Sequence, residues 1–369
     1  MEKNNRKTDV LIVGGGPAGA SAALSLLNYS SLEVALIEQS NLEGIRVGEH
    51  VSSHIFDLLG HLKMDRSAFE EDSFLPSYGN TAYWGSDIPS TNHSIFSSEN
   101  DTVQLDREKF DFQLIKGVAE RGGHVFPRTK CIDFKQLKNG HWSISLKHPE
   151  KGEFKIMAKY LVDATGRNAN ICRQLGVPSQ KIDSMMGVGM FFKHQKQNVK
   201  TREHIIESTP LGWWYSALLP NNKCVATFFT DADIVSEKKL NKTDQWSELL
   251  QETQFIKHHL AEATSLSAKP WVRNASTQIS DPRTRKNFMA IGDAASSFDP
   301  ISSMGIGSAI TSACHAAKRI QLQLSGQTID NESFQRDLAR NFDQYLSHRK
   351  QFYQKEKRWV SSTFWERRN

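Results

Sequence analysis

The sequence has 369 residues, which is long enough to bury a substantial core and to form two domains or one large domain with an insertion. Its 46 lysines and arginines against 41 aspartates and glutamates give a formal charge of +5, too weak and too evenly spread to indicate a nucleic acid partner. The polar start of the chain has no signal-peptide core, no apolar run is long enough to span a bilayer, and the four cysteines are too far apart for a disulfide framework or a zinc ribbon. We therefore expect a cytoplasmic protein with no membrane partner, no nucleic acid partner and no metal.

The first elements predict a β-α-β unit around a glycine motif. Residues 9–13 and 33–37 are short apolar runs typical of strands, and residues 18–27 form a small-residue helix between them. The intervening segment, GGGPAG at residues 14–19, has the spacing G-x-G-x-x-G.

This motif predicts a dinucleotide site. Glycine permits a tight turn and a close approach of the backbone to a pyrophosphate, which the amino terminus of the following helix receives. A carboxylate at the end of the second strand accepts hydrogen bonds from the adenosine ribose. The residues predicted to bind the cofactor here are Gly14, Gly16, Pro17, Ala18, Gly19 and Glu38.

The middle of the chain predicts a second sheet. Residues 74–103 are rich in Ser, Asn, Gly and Trp, which favours loops, and residues 106–121 have helical spacing. Alternating or apolar segments predict an antiparallel ribbon at residues 141–146, 154–157 and 160–162, and a second sheet at residues 188–193, 204–208, 213–219 and 224–230. Later elements are helical spacing at residues 244–265, a strand at 288–291, a long helix at 306–324 and mostly amphipathic helix at 333–365.

Three further segments resemble signatures of the superfamily of FAD-dependent aromatic hydroxylases and tryptophan halogenases. Residues 288–295 (FMAIGDAA), with Gly292, resemble the second FAD signature, in which a strand delivers an aspartate, here Asp293, to the ribityl chain. Residues 103–111 (VQLDREKFD) resemble a segment whose arginine, here Arg107, lies near the cofactor phosphates. Residues 161–167 (LVDATGR) resemble a strand end that contains Gly166. The alternatives are a helix cap for Asp293 and a solvated surface charge for Arg107.

Two loops complete the predicted flavin site. Residues 299–307 (DPISSMGIG) open the long helix, and the resemblance implies that this loop, with Gly305 and Ile306, lies beside the flavin. A helix amino terminus there would stabilise negative charge on the reduced ring by about 0.3–1 kcal/mol, or more if desolvated. The loop at residues 46–50 (RVGEH) contributes Arg46 and Gly48 to the predicted cofactor site.

The resemblance implies an α/β (α+β) fold, namely an FAD-binding Rossmann-like domain of the aromatic hydroxylase type with an inserted antiparallel-sheet substrate domain and a helical carboxyl terminus. The predicted FAD-binding domain is discontinuous and takes residues 1–73, 101–186 and 280–325. The substrate domain takes residues 74–100 and 187–279, and the helical region takes residues 326–369.

The chain departs from the tryptophan halogenases at the positions that carry their chemistry. Those enzymes have a lysine after the G-E loop, whereas no lysine occurs here between residues 68 and 108. Ser302 and Met304 stand where they have a glutamate and a threonine, and Tyr215 and Ala217 stand at the tryptophan positions of their W-x-W-x-I-P motif. We therefore expect oxygen chemistry, in which the flavin delivers an electrophilic hydroxyl to an electron-rich ring held in a dry pocket.

Few dedicated catalytic residues are required for that reaction. The candidates are Glu49, His50, Trp214 and Pro300. The reference pKa of histidine suits His50 for uptake of the proton that the substrate ring releases when it becomes aromatic again. The alternative is that His50 is a buried structural histidine. Trp214 either stacks on the substrate or packs within the sheet.

Within the superfamily, the chain resembles the flavoproteins that accompany quinone-cofactor oxidases. These are the LodB type, which matures L-lysine ε-oxidase, and the maturation proteins of glycine oxidase and quinohemoprotein amine dehydrogenase. The shared features are the compact length, the R-x-G-E loop and the G-W-W-Y-S-x-L-P stretch at residues 212–220.

This resemblance implies a protein substrate. The substrate would be a tryptophan side chain in the precursor of a quinone-cofactor amino-acid oxidase, hydroxylated on the way to cysteine tryptophylquinone. FAD is the implied cofactor, with electrons from NAD(P)H or a separate reductase, because the sequence shows no second nucleotide fingerprint. The alternatives are a hydroxylase of a free small aromatic, a tryptophan halogenase and a non-catalytic flavin-containing chaperone of the precursor.

The tail at residues 349–368 also bears on the partner. It contains seven lysines and arginines interleaved with aromatic residues. This composition suits an interface with an acidic partner, and it equally suits an amphipathic helix that packs its aromatic residues on the body of the protein.

Overall fold

The computed structural model describes residues 5–44, 46–77, 79–93, 102–194 and 203–369. The helices in these residues are α1 (Pro17–Tyr29), α2 (Ile55–His61), α3 (Arg107–Glu120), α4 (Asn170–Gln174), α5 (Ala232–Glu237), α6 (Thr243–Gln251), α7 (Ile256–His259), α8 (Gly305–Leu324), α9 (Asn331–Tyr353) and α10 (Thr363–Glu366).

The strands in the first half are β1 (Asn5–Val13), β2 (Val34–Ile37), β3 (His50–Ser52), β4 (Phe74–Ser77), β5 (Gly79–Tyr83), β6 (Ser90–His93), β7 (Thr102–Leu105), β8 (His124–Phe126), β9 (Lys130–Gln136), β10 (Trp142–His148) and β11 (Gly152–Asp163). Those in the second half are β12 (Ser179–Lys181), β13 (Met185–His194), β14 (Glu203–Thr209), β15 (Gly212–Leu218), β16 (Lys223–Asp231), β17 (Ala263–Ser265), β18 (Trp271–Asn274), β19 (Gln278–Ser280), β20 (Phe288–Ala290) and β21 (Ser296–Ser297).

A seven-stranded sheet carries the predicted β-α-β unit. Its order is β8-β2-β1-β11-β10-β9, and β20 pairs with β11. Strands β8, β2, β1, β11 and β20 run parallel, and β10 and β9 continue the sheet as an antiparallel ribbon. Helices α1, α3 and α8 bury apolar residues against one face. The parallel strands therefore bring the carboxyl ends of β1, β11 and β20 to one edge, where ligands bind in α/β sheets.

The second large sheet has the order β17-β13-β16-β15-β14-β5-β6, and β18 also pairs with β13. Its strands are antiparallel except at one junction, where β5 runs parallel to β14. One face packs on α6 and α7 through Trp214, Trp246 and Ile256. The opposite face lines the cavity described below, and the two large sheets with their flanking helices form the mixed α/β architecture that the sequence predicted. The division into an FAD-binding, a substrate and a carboxyl-terminal region stays a prediction.

Two secondary-structure predictions were wrong. In the region predicted as loops, residues 74–77, 79–83 and 90–93 form β4, β5 and β6, and part of residues 244–265, predicted as helical, forms β17. Residue 78 and residues 94–101 of the predicted loop region lie outside the described residues. Both errors concern short strands with polar sequences, whose hydrogen bonds come from distant partners: β5 pairs with β14 and β17 with β13.

The carboxyl-terminal region packs on the body of the protein. The side chains of Tyr353, Phe364 and Trp365 are buried. Arg349 forms ion pairs with Asp183 and Asp299, and other basic residues of the tail also have acidic partners. The structure therefore supports packing, rather than an exposed partner interface, for these side chains. Among the described residues, no helix combines the length and apolarity needed to cross a membrane.

We predict that Arg349→Met lowers the free energy of unfolding by about 3 kcal/mol or more, because it leaves the fully buried Asp299 carboxylate without its cation. Arg340→Met is the matched control on the same helix, where the pair with Asp337 is exposed, and it should cost less than about 1 kcal/mol. Urea unfolding of both variants measures the difference. Equal losses would contradict this account of Asp299.

Candidate functional site

A cavity of about 470 Å³ lies between the carboxyl edge of the first sheet and the open face of the second. The predicted site residues that line it are Gly16, Pro17, Ala18, Gly48, Glu49, His50, Arg107, Gly166, Asp293, Pro300, Gly305 and Ile306. The second sheet contributes His204, Ile206, Trp213, Tyr215, Phe229 and Trp271. Segments far apart in the sequence thus meet around one space.

Glycine is required in the first motif for two different structural reasons. Gly14 has a φ of +115°, and a Cβ there would lie 2.1 Å from the carbonyl oxygen of Ala164. A Cβ on Gly19 would lie 1.8 Å from the carbonyl oxygen of Gly14. A Cβ on Gly16, by contrast, meets nothing within 4 Å. Gly14 and Gly19 therefore permit close packing, and Gly16 keeps space open at the amino terminus of α1, where an anion binds favourably.

Glu38 lies directly beside this turn, at the end of β2. Its carboxylate accepts hydrogen bonds of 2.7 Å from the backbone N–H groups of Gly15 and Ser40. The side chain is buried and does not line the cavity in this structure. Its carboxylate is adjacent to the glycine turn through the contact with Gly15, and its role in binding the ribose stays a prediction.

Arg107 is not a solvated surface charge. Its guanidinium is 11% exposed, pairs with Asp111 at 3.0 Å and donates to the carbonyl oxygens of Val47 and Gly48 at 2.6 and 2.9 Å. Arg46 pairs with the same carboxylate at 2.9 Å but does not line the cavity. The two arginines therefore fix the 46–50 loop against α3, and Arg107 alone of the pair reaches the site.

The segment after β20 reaches the cavity at Asp293. Its carboxylate lies 3.3 Å from the guanidinium of Arg167, and its side chain is 28% exposed. Gly292 has a φ of +55°, and a Cβ there would lie 2.7 Å from that of Ala18, so this turn packs on α1. Gly166 lines the cavity beside Arg167.

Asp299 holds the loop that leads into α8. Its buried carboxylate accepts hydrogen bonds from Arg349 at 2.9 Å and from the hydroxyl of Tyr353 at 2.8 Å. The backbone N–H of Ile301 donates to the other oxygen at 3.1 Å. These contacts place Pro300 in the cavity wall and leave the amino terminus of α8 facing the cavity through Gly305 and Ile306.

Glu49 and His50 lie in the cavity wall and contain polar atoms that have no hydrogen-bond partner. Glu49 Oε1 and both ring nitrogens of His50 are buried and lack hydrogen bonds. Burial raises the pKa of Glu49 to about 7, against the opposing effect of Arg107. Burial also lowers the pKa of His50 to about 4. Neutral forms of both side chains are therefore favoured in this wall.

Sequence reasoning missed His204. Its ring lies 4.1 Å from that of His50, its Nδ1 has no hydrogen-bond partner, and burial lowers its pKa to about 3. Tyr215, on the neighbouring strand, donates to Gln104 Oε1 at 3.3 Å. The alternation of His204 and Ile206 along β14 was the available signal, but it has meaning only once the sheet is known to face a cavity.

The prediction of Trp214 as a catalytic residue is not supported by its position. Side chains alternate along β15, so Trp213 and Tyr215 face the cavity while Trp214 points to the other side of the sheet. Trp214 is fully buried and packs against Phe228 and Trp246 at 5.0 and 5.2 Å between ring centres. It therefore belongs to the core that joins the sheet to α6.

The arrangement fits FAD on three structural grounds. Gly16 and Gly305 leave open space at the amino termini of two helices that both face the cavity. Asp293 and Arg107 supply polar groups between these ends, and unpartnered buried polar atoms line the far wall. Such atoms are uncommon in folded proteins unless a ligand or water satisfies them.

We predict that Gly16→Ala reduces FAD retention without reducing stability. Gly16 has a φ of −71°, which alanine adopts freely, and the added methyl enters only the open space. An overpacking cost of about 1–3 kcal/mol would raise the Kd for FAD roughly five- to 140-fold. Visible flavin absorbance per mole of purified protein measures the loss.

Gly60→Ala is the matched control, because its Cβ also meets nothing within 4 Å but lies in α2 away from the cavity. It should retain FAD as the wild type does. Full retention by Gly16→Ala would contradict the proposed position of the pyrophosphate.

We predict a pH-dependent stability difference at Glu49. The folded pKa of about 7 lies above the ordinary 4.5, so stability present below pH 4.5 is lost as the pH rises to 7. Relative to Glu49→Gln, the wild-type protein freed of flavin should lose on the order of 3 kcal/mol between pH 4.5 and 8. Urea unfolding of the wild type and Glu49→Gln at both pH values measures this loss of stability. Glu237→Gln, at an exposed site, is the control. A constant difference would show that Glu49 does not hold its proton in this wall.

Comparison with known proteins agrees with this geometry. The FAD-binding domain family matches residues 7–354. The chain is 41% identical over 361 residues to LodB of Marinomonas mediterranea, named as an FAD-dependent oxidoreductase, and the match covers 98% of this chain and 96% of LodB.

Solved structures share the fold. The flavin-dependent halogenase CmlS matches with a TM-score of 0.84 and 23% identity, over 98% of this chain and 68% of CmlS. The peptidyl tryptophan dihydroxylase QhpG, described as essential for tryptophylquinone cofactor biogenesis, matches with a TM-score of 0.73 and 20% identity, over 98% of this chain and 78% of QhpG. The chain therefore belongs to the FAD-binding family of flavoprotein oxidoreductases that includes LodB, and it is a flavin-dependent enzyme of the monooxygenase type.

Proposed function

We propose that this enzyme hydroxylates a tryptophan side chain of a partner protein, the precursor of a quinone-cofactor amino-acid oxidase such as L-lysine ε-oxidase, during formation of cysteine tryptophylquinone. The observation that carries the proposal is the 41% identity to LodB over nearly the full length of both chains. Gly48 and Glu49 of the R-x-G-E loop and Trp213 and Tyr215 of the W-W-Y stretch, the two segments on which the resemblance to these maturation flavoproteins rests, line the same cavity.

We assign the cofactor-binding roles to the residues that the sequence predicted. The helix amino termini at Gly16 and Gly305 would hold the pyrophosphate and the flavin end of FAD, and Glu38 and Asp293 would bind hydroxyl groups of the ribose and the ribityl chain. When bound there, the flavin supplies activated oxygen as an electrophilic hydroxyl. Electrons would come from NAD(P)H or from a separate reductase.

The residues of this chain form a substrate pocket that excludes water from the reacting ring and opens to the protein surface. Trp213, Phe229 and Ile206 form apolar walls that exclude water from the reacting ring. The cavity reaches the surface at Gly48, Ser303 and Arg273, which are exposed. A side chain that remains attached to a protein could therefore enter it, which supports a protein substrate over a fully enclosed small molecule.

His50 is the residue to which we assign the proton released from the ring carbon. Its unprotonated ring nitrogen is free to accept that proton, because neither nitrogen is engaged by the protein. Glu49, next to it on the same loop, would pass the proton on, and Pro300 would shape the opposite wall. No role in the reaction is assigned to Trp214.

Halogenation is the less favoured alternative. Among the described residues that line the cavity, none is a lysine. The described lining therefore has no counterpart to the lysine that the tryptophan halogenases have after their G-E loop. The fold itself does not discriminate, because halogenases and a peptidyl tryptophan dihydroxylase share it.

We predict that co-expression with the precursor adds oxygen to one of its tryptophans. Intact-mass and peptide mass spectrometry of the precursor should show the addition with the wild-type protein and with Gly60→Ala, and a strong reduction with Gly16→Ala, which fills the open space without distorting the turn. Gly14→Ala is less informative, because its Cβ collides with Ala164 and would disturb folding.

The same experiment separates the alternatives. An unmodified tryptophan beside flavin-loaded wild-type protein would defeat the hydroxylase proposal and favour a chaperone. Incorporation of chlorine or bromine would identify a halogenase. Rapid oxidation of NAD(P)H with a free phenol or free tryptophan, without the precursor, would favour a small-molecule hydroxylase.

A further inference from the structure

One wall of the cavity concentrates buried polar atoms that the protein leaves unpartnered. In the described part of the chain these are Glu49 Oε1, both ring nitrogens of His50 and His204 Nδ1, and Gln104 Nε2, on a neighbouring residue that does not itself line the cavity, is also unpartnered. Glu49, His204 and Gln104 are each at least nine-tenths buried. An unmade hydrogen bond in such a place costs about 1–3 kcal/mol per group, so the wall is built to meet a ligand that supplies the missing partners.

These side chains form one contiguous surface with Tyr215, although they come from four strands and from the loop that precedes β3. His50 on β3 lies opposite Gln104 on β7 in the strand register. Gln104 accepts a hydrogen bond from the hydroxyl of Tyr215 on β15. The ring of Tyr215 lies 5.9 Å from the ring of His204 on β14. The rings of His204 and His50 approach to 4.1 Å, which closes the set.

Below the pKa of Glu49, which burial raises to about 7, the wall carries no free charge. The two histidine rings are too close to be protonated together without repulsion, and burial favours their neutral forms. The charged residues around the rest of the cavity have their own partners: Arg107 pairs with Asp111, Arg167 with Asp293, and Asp299 with Arg349. Arg273 is exposed at the mouth. A phenolate or carboxylate would therefore find no counter-charge at this wall.

A neutral aromatic ring with one hydrogen-bond donor fits these conditions. Trp213, Phe229 and Ile206 supply the apolar contact surface next to the polar wall. The indole ring has this combination, with a broad apolar face and a single N–H that requires an acceptor when it is buried. The histidine ring nitrogens and Glu49 Oε1 are the acceptors on offer.

We propose that Glu49, His50 and His204 form a neutral polar subsite that binds the N–H edge of the substrate indole. This inference rests on the proposed function, because it names how that tryptophan side chain is recognised. His204 thereby becomes a specificity-determining residue that contacts the substrate.

The test uses the purified FAD-loaded protein and two neutral probes. 3-Methylindole carries the N–H, and 1,3-dimethylindole replaces it with a methyl group. Binding is followed by perturbation of the visible flavin spectrum and by calorimetry. We expect the wild type to bind 3-methylindole about five- to tenfold more tightly, the ratio that one net hydrogen bond gives.

Three variants make the test specific. His204→Phe should keep the FAD content and remove the preference, so that both probes bind with similar affinity. His204→Gln, which keeps a hydrogen-bonding group, should restore part of the preference. His315→Phe changes an exposed histidine of α8 and should retain the wild-type ratio.

The proposal is overturned if the wild type binds the two probes equally, if 3-methylindole shows no measurable binding, or if His204→Phe keeps the full preference. Equal binding would mean that water, rather than an indole N–H, satisfies the wall. The precursor assay keeps the two ideas apart. Equal binding together with an oxidised precursor tryptophan removes the subsite alone, whereas an unmodified precursor removes the proposed function whatever the probes do.

Discussion

The buried carboxylate of Asp299 is the contact on which the shape of the site depends. It joins the loop that leads into α8 to Arg349 and Tyr353 of the carboxyl-terminal helix α9. Tyr353 in turn accepts the indole N–H of Trp213 at 3.0 Å, and Trp213 lines the cavity from the second sheet. A carboxylate with no exposed surface is stable only when such partners surround it. The tail of the chain thus determines how the flavin loop and the substrate wall face each other.

The cavity divides into two chemical environments. The amino termini of α1 and α8 favour the negative charge of a dinucleotide and of a reduced flavin. Aromatic residues and uncharged polar groups elsewhere in the lining favour a neutral ring. This separation suits a monooxygenase, because the cofactor requires charge stabilisation while the reacting ring requires a dry surface.

The sequence predicted those parts of the site that depend on local spacing. The glycine turn, Glu38 at the end of the next strand and the start of α8 all follow from a few adjacent residues whose conformations are locally determined. The family resemblance indicated LodB and the hydroxylase and halogenase fold, both of which the comparisons confirmed.

The parts that failed depend on contacts between distant segments. Whether Trp214 stacks on the substrate or packs within the sheet stayed open, because the sequence WWY does not reveal which side of β15 meets the cavity. His204 was missed because its neighbour, His50, comes from a different sheet. The tail composition allowed two interpretations, and only the ion pairs of Arg349 and Arg368 with buried aspartates favoured one of them.

The most direct measurement of the central claim is the origin of the oxygen on the precursor tryptophan. The purified FAD-loaded protein would be mixed with the precursor and a reductant under isotopically labelled dioxygen, and the precursor peptides would be weighed. A flavin monooxygenase must place the label on the tryptophan ring, as we expect. A tryptophan that stays unlabelled, or that takes its oxygen from water, would contradict the account.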